Sequence, residues 1–251
     1  MEKQKIAEFL DITDDFLYTG YKSKRNNYNF EDDIAPSSNI IPQYTLQNER
    51  SPDDSLEKIA LEIKSCRNCS LCEKRLNAVP GEGVKIPVVM VIGEGPGEDE
   101  DKQGRPFVGR AGILLDKMLG SIGLSREENV FIANTVKCRP PFNREPHPEE
   151  TEACSLFLRR QIILLKPKYI LAAGRVSAHA LLKTTEPISK MRGGFKSFAA
   201  EGDTYPLLVT YHPAALLRSD DLKRPAWEDL KLLKSKLDII AGNSAKKSAE
   251  N

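Results

Sequence analysis

An α/β fold with a central, mostly parallel four-stranded sheet flanked by helices is predicted by three observations. Four short apolar runs, PVVMVIG (87–93), NVFIANTV (129–136), KYILAAG (168–174) and YPLLVTYH (205–212), have the length and composition of strands buried on both faces. Segments of helical periodicity separate them, the alternation that builds a parallel sheet with helices on both sides. Loops rich in glycine or polar residues follow the runs, at the edge where open parallel sheets bind ligands.

Taken in order, Ser55 is placed to cap a helix carrying Leu56, Ile59, Ala60 and Ile63 up to the first cysteines. After the first strand, AGILLDKMLGSIG (111–123) repeats its apolar residues at helical spacing. Pro148 opens a longer helix, PEETEACSLFLRRQIILL (148–165), and RVSAHALLK (175–183) follows the third strand. The fourth strand leads to a closing helix, AWEDLKLLKSKLDII (226–240). Residues 1–54 read as an amino-terminal extension outside this pattern, largely disordered beyond an amphipathic stretch at 2–17. That stretch is a candidate docking element for a protein partner. The catalytic domain is placed at 55–242 and a disordered tail at 243–251.

The 251 residues have a net charge of +1, which hides a division. Residues 1–58 carry seven basic and twelve acidic side chains, and the remainder 30 basic and 24 acidic. A basic body behind an acidic arm suits a polyanionic partner, although an excess of this size is common among enzymes. No window has the apolar length of a membrane-spanning helix, and MEKQKIAEFL lacks the apolar core of a secretion signal. A cytoplasmic chain with no membrane partner is the expectation. The five cysteines are an odd number, which excludes a complete intrachain disulfide set.

Cys66, Cys69 and Cys72 form a C-x2-C-x2-C run, with Cys138 and Cys154 far down the chain. Thiolates at this spacing chelate one metal centre, and two close plus two distant cysteines make a four-thiolate set. Spacing leaves zinc and an iron–sulfur cluster equally open, with one cysteine spare.

The loop GEGPGEDEDKQGRPFVGRAG (93–112) follows the first strand. Glu98, where a dinucleotide loop wants glycine, begins an acidic run that would repel phosphate. The Gly-Lys-Ser/Thr ending of a P-loop is missing. The glycines instead let backbone amides approach a neutral planar ligand. An acidic loop holding Mg²⁺ for phosphoryl hydrolysis is a rival, and Glu98 and Asp99 read as solvated loop residues. Phe107 is either a buried anchor or a stacking face. Of three histidines, His147 reads as an exposed turn residue and His179 as an ordinary helix residue. His212, at the end of the fourth strand and before Pro213, is the functional candidate. Asn134, polar in an apolar strand, must be hydrogen-bonded, either within the fold or to a base edge.

Together these segments resemble the iron–sulfur, family-4 uracil-DNA glycosylases of bacteria and archaea. The resemblance spans roughly residues 59–240. It rests on CSLC (69–72), GEGPGEDEDKQGRPFVGRAG (93–112), NTVKCRPPFNR (134–144), Cys154 sixteen residues after Cys138, and YHPAALLR (211–218). It implies a [4Fe–4S] cluster on Cys69, Cys72, Cys138 and Cys154, structural in role, with Cys66 spare. It implies a uracil pocket formed by the backbone around Glu94, Gly95 and Pro96, with Phe107 stacking on the ring and Asn134 bonding the polar edge. Glu100 would exclude the methyl group of thymine, and Glu94 and His212 would join Asn134 in catalysis. Leu216, Leu217 and Arg218 would wedge into the duplex and grip its backbone. Lys190, Arg192 and Lys196 are candidate phosphate contacts or a solvated basic hairpin. The expected partner is uracil-containing DNA, single- or double-stranded, met by a monomer that initiates base excision repair. An iron–sulfur DNA-binding module and a glycosylase of shifted base preference are the alternatives.

Overall fold

The structure, a computed structural model, describes residues 54–249, with side chains described through Ile240. The amino-terminal extension and its amphipathic stretch lie outside the described residues. Helix α1 (Leu56–Ser65) starts as expected, with the Ser55 hydroxyl accepting from Lys58 N at 3.1 Å. Its apolar face seats Ile59 and Ile63, both fully buried. Each such side chain contributes about 2 kcal/mol, which fastens α1 over the cysteine region.

The sheet contains strands β1 (Glu82–Gly83), β2 (Val89–Gly93), β3 (Val130–Asn134), β4 (Tyr169–Ala173), β5 (Phe195–Ala200) and β6 (Asp203–Thr210), in the order β1-β3-β2-β4-β6-β5. The four expected strands β3, β2, β4 and β6 are mutually parallel. Every residue of β2, β3 and β4 is buried, because helices cover both faces. Two antiparallel edge strands enlarge the expected sheet to six. β1 is too short to show a period, and β5 alternates exposed and buried residues as one arm of a hairpin with β6.

Helices α2 (Glu98–Gln103), α3 (Arg110–Ser121), α4 (Pro148–Leu165), α5 (Arg175–Leu182), α6 (Ile188–Met191), α7 (Pro213–Leu216) and α8 (Lys223–Ala249) complete the layers. The acidic residues form a short helix, α2, in place of an irregular loop, and Glu98 and Asp99 are exposed to solvent as expected. The start of α2 is capped by the Glu100 side chain, which accepts from Gly97 N at 3.1 Å. The buried carboxylate of Asp101 ties the helix to the preceding chain by accepting from Leu76 N at 2.9 Å and Asn77 N at 3.1 Å. The closing helix also runs further than expected, through Ala249, where an irregular tail is predicted from 243. Among the described residues no helix is long and apolar enough to cross a membrane.

The chain passes from β2 to β3 on one side and then to β4 on the other. The crevice at the carboxyl ends of β2 and β4 is therefore the switch point of the sheet. The loops after Gly93, Asn134, Ala173 and Thr210 converge there.

The turn after α6 is anchored to α8. Asp229 is fully buried and accepts from Arg192 Nε and an Arg192 terminal nitrogen, each at 3.0 Å, and from Gly193 N at 3.1 Å. Burial pushes its carboxyl up to about 6, with Arg192 opposing the shift. Replacing Asp229→Ala strands the guanidinium of Arg192. The expected loss is about 3 kcal/mol, as for breaking a buried pair, read as a lower urea midpoint near neutral pH.

Candidate active site and thiol pocket

The floor of the crevice is made where β2 and β3 end side by side. Asn134, 2% exposed, is paired in register with Gly93, and its Oδ1 has no hydrogen-bond partner. A buried acceptor without a donor costs about 1–3 kcal/mol, so the site is built to receive an N–H from outside the chain. Gly93 permits this arrangement. A Cβ there would stand 2.4 Å from Asn134 Oδ1 and 2.5 Å from the ring of Phe107.

Phe107 forms one wall and reconciles its two sequence readings. It is buried, and its ring faces that of His212 at 5.5 Å between centroids, inclined by 31°. Its φ of 52° is left-handed, a conformation that side chains other than glycine resist. Several ties hold it there. Arg126, nearly buried, donates to Pro106 O at 3.1 Å and Phe107 O at 3.0 Å while paired to Asp116. Glu100 Oε1 accepts from Val108 N and Gly109 N at 2.8 and 3.0 Å, and its Oε2 from Gly97 N at 3.1 Å. Gly112 lies so close beneath that a Cβ would meet Phe107 O at 1.9 Å.

His212 is the N-cap of α7. Its Nδ1 accepts from Ala214 N at 3.2 Å, so in the neutral ring Nε2 carries the proton. Loss of solvent lowers its pKa to about 4; Arg218 lowers it too, and Glu100 opposes. The ring is thus a neutral donor at physiological pH. Gly174 lets it approach, since a Cβ there would stand 2.9 Å from the Cβ of His212.

Glu94 sits at the start of the loop after β2, its carbonyl accepting from Val136 N at 3.2 Å and from the Thr135 hydroxyl. Burial first, and then Glu145, raises its carboxyl to about 7, while Arg175 and Arg218 oppose. Pro96 beside it is buried, and Gly95 packs so closely that a Cβ would be 2.8 Å from Val136.

The remaining expected contacts divide. Leu217 is 42% exposed and Arg218 is exposed, but Leu216 is fully buried. Leu216 is therefore corrected from a wedge to a core anchor of α7, because a four-residue helix has to bury one side chain to stay docked. Arg192 is corrected as well: it is not a free surface cation but is held by Asp229 and lies 5.5 Å over the Tyr211 ring. Lys190 and Lys196 are exposed, His147 is exposed, and His179 bonds Glu186 O through Nε2 at 2.8 Å.

The five cysteines carry no disulfide and all line one pocket, with Ile63, Asn68, Arg75, Lys137, Ala153 and Phe157 as its other walls. Among the described residues no three His, Cys, Asp or Glu side chains converge as a site for a single metal ion. The thiols ring a space instead. Burial pushes Cys154 up to about 11 and raises Cys138 and Cys69, so these sulfurs are neutral thiols without a bound cation. Glu150, absent from the sequence reading, braces the cysteine loop. It accepts two nitrogens of Arg144, at 2.7 and 2.8 Å, then His147 N at 2.7 Å and the hydroxyl of Ser70 at 3.3 Å. Its carboxyl falls to about 2, chiefly through Arg144. Its only signal in the sequence is its place at the third residue of a helix, where a glutamate caps the helix start.

Residues 80–231 match the family model of the uracil DNA glycosylase superfamily. The chain belongs to that superfamily. It is 47% identical over 188 residues to a type-4 uracil-DNA glycosylase of Sulfurisphaera tokodaii, covering 72% of this chain and 84% of the relative. A type-4 uracil-DNA glycosylase of Saccharolobus solfataricus is 46% identical over 189 residues (73% and 87% of the two chains), and one of Thermotoga maritima 42% over 186 residues (73% and 95%). The superfamily match covers both ends of the crevice, from the β1 edge to the helix after His212.

The raised carboxyl of Glu94 has a consequence for stability. Its folded pKa of about 7 lies above the ordinary 4.5, so the fold is favoured below 4.5 and loses that stability as pH rises through 7. Glu94→Gln removes the titration. The variant is expected to be more stable than wild type by about 1–2 kcal/mol at alkaline pH, after discounting the part of the group open to solvent. Below the ordinary carboxylate range the two should unfold alike; melting curves across pH read the difference.

Proposed function

We propose that this chain is a uracil-DNA glycosylase that hydrolyses the N-glycosidic bond of deoxyuridine, releasing uracil and leaving an abasic site for base excision repair. The observation that carries this reading is the unpaired, buried Oδ1 of Asn134, which together with the Phe107 ring borders the space a side chain at Gly93 would fill. The printed name of the relatives, type-4 uracil-DNA glycosylase, supports it.

Uracil offers one edge with a carbonyl at O4 and a proton at N3. The Asn134 amide matches both, with Oδ1 accepting from N3–H and the NH2 donating to O4. Cytosine has a lone pair at N3, which would face the same oxygen and repel it. Phe107 supplies a flat face, fixed in direction by Arg126 and Glu100. Glu100 excludes the thymine methyl as a rigid wall, its two oxygens being committed to three backbone amides.

Cleavage leaves positive charge on the sugar and negative charge on the departing base. His212 Nε2–H donates to O2, where that charge develops, and its lowered pKa keeps it neutral throughout. Glu94, once ionised, orients the attacking water and stabilises the sugar cation. The target has to leave the stack to reach this floor, and Leu217 fills the vacated step while Arg218 grips the backbone. Duplex and single-stranded DNA are both expected substrates, because the choice of base is made on the flipped nucleotide.

All five cysteines line the thiol pocket, and thiolates are the donor set that an iron–sulfur cluster takes. Cys69, Cys72, Cys138 and Cys154 would hold a [4Fe–4S] cluster, with Cys66 spare. Bound there, the cluster would tie the loop after α1, the loop after β3 and α4 to one another. The free thiols suit the reducing cytoplasm.

The decisive assay offers a uracil-containing oligonucleotide in EDTA, with alkali to reveal abasic sites. Wild type cleaves, and His212→Ala and Asn134→Ala each lose on the order of 10²–10³ in rate. Activity climbs as pH rises through about 7, following Glu94, with no second step until His212 titrates near 4. Dependence on added Mg²⁺, or release of a different base, would overturn the assignment.

Cysteine replacement checks the cofactor. Cys69→Ser and Cys154→Ser are expected to lose absorption near about 400 nm and most bound iron, while Cys66→Ser keeps both.

A further inference from the structure

The thiol pocket is walled by two cations that the reaction does not use. Lys137 is 1% exposed, and its ammonium makes a single hydrogen bond, to Gln161 Oε1 at 2.7 Å. Among the described residues it has no carboxylate partner. The glutamine is itself fixed, donating to Pro80 O at 2.8 Å. Arg75 donates to Cys138 Sγ at 2.9 Å and to the carbonyls of Lys64 and Cys66 at 2.8 and 3.0 Å, again with no carboxylate among the described residues. Glu150, which braces the cysteine loop, is committed to Arg144 and the backbone of His147. Elsewhere in the molecule, buried cations are paired: Arg126 with Asp116, and Arg160 with Asp54 and Glu62.

A lysine removed from water without an anion is a large cost, and such groups persist where an anion completes them. Among the described residues the pocket that Lys137 lines has no carboxylate in its walls, which beside the cysteines are Ile63, Asn68, Arg75, Ala153 and Phe157. Four thiolates around an iron–sulfide core outweigh the charge of the core and make the whole assembly anionic. Its reduction potential depends on net charge and on hydrogen bonds to its sulfurs.

From this juxtaposition we infer that Lys137 and Arg75 are the built-in counter-charges of the cluster: Lys137 by buried positive charge, Arg75 by donating to the sulfur of Cys138. The inference rests on the cluster assignment above. The two cations act as positioning and tuning groups. They retain the cluster and hold its potential up, since reduction adds negative charge that the cations stabilise.

The test uses the holoprotein. Lys137→Met removes the charge at nearly constant volume, Arg75→Gln removes a charge from a half-buried position that tolerates change, and Gln161→Leu removes the acceptor but leaves the cation. Cluster loss to an iron chelator is followed by absorbance, and the midpoint potential by titration with dithionite, which donates the electron. Lys137→Met and Arg75→Gln are each expected to lose the cluster roughly tenfold faster and to weaken the preference for the reduced form by a similar factor, about 59 mV more negative for one electron. Gln161→Leu should keep the wild-type potential. Equal behaviour of Lys137→Met and Gln161→Leu would overturn the proposal, because a purely structural lysine predicts that result. If Lys137→Met does not fold, Arg75→Gln decides alone, and an unchanged potential there overturns it. Wild-type protein that releases uracil without cluster absorption removes the cofactor assignment. A wild type that holds the cluster, with variants unaffected, removes only the counter-charge role.

Discussion

The carbonyl oxygen of the Asn134 side chain is buried at the end of β3 with nothing in the chain to donate to it. Much of the surrounding architecture keeps it open. A side chain at Gly93 would cover it, so the neighbouring strand must end in glycine. Phe107 has to stand beside it in a left-handed backbone, and this conformation survives because Arg126, Glu100 and the close approach of Gly112 determine it from three directions. His212 closes the opposite side through its place at the N-cap of α7, and the buried Leu216 keeps that short helix in position. At this floor the fold carries an unsatisfied acceptor and a left-handed Phe107 in return for a surface that accepts an N–H from a ligand.

Desolvation sets the charge states around this floor. The same loss of water that lowers His212 to about 4 raises Glu94 to about 7, which yields a neutral donor and a carboxylate that ionises near physiological pH. At the thiol pocket burial raises the cysteines and lowers Lys137 to about 8, so the same loss of water favours the neutral form of each. The two sites share β3 and its following loop: Asn134 ends the strand, and Lys137 and Cys138 follow it. A group bound to Cys138 therefore bears on the segment that positions Asn134.

Sequence legibility followed the physics of each element. Buried parallel strands are readable because burial on both faces demands a continuous apolar run, and their ends fell within two residues of the observed ones. The edge strands were not readable: β1 has only two residues, and β5, FKSFAA, has neither a continuous apolar run nor a regular polar–apolar alternation. In the acidic run at 98–101, Glu98 and Asp99 are exposed, the usual fate of such residues. Asp101 escaped that fate by capping two backbone amides distant in sequence.

The sequence by itself determined the alternating α/β order, the thiol set, the loops at the ligand-binding edge, and the candidacy of Asn134, Phe107 and His212, since these depend on local pattern and residue chemistry. Only the tertiary structure decided that Leu216 is a core anchor while Leu217 is exposed, and that Arg192 is held by a buried aspartate 37 residues away. It also decided that Glu150 braces the cysteine loop and that Lys137 lies beside the thiols, bonded to Gln161 and with no carboxylate partner among the described residues. Pairing and burial between residues remote in the chain are set by how the layers pack, and local pattern carries no record of that.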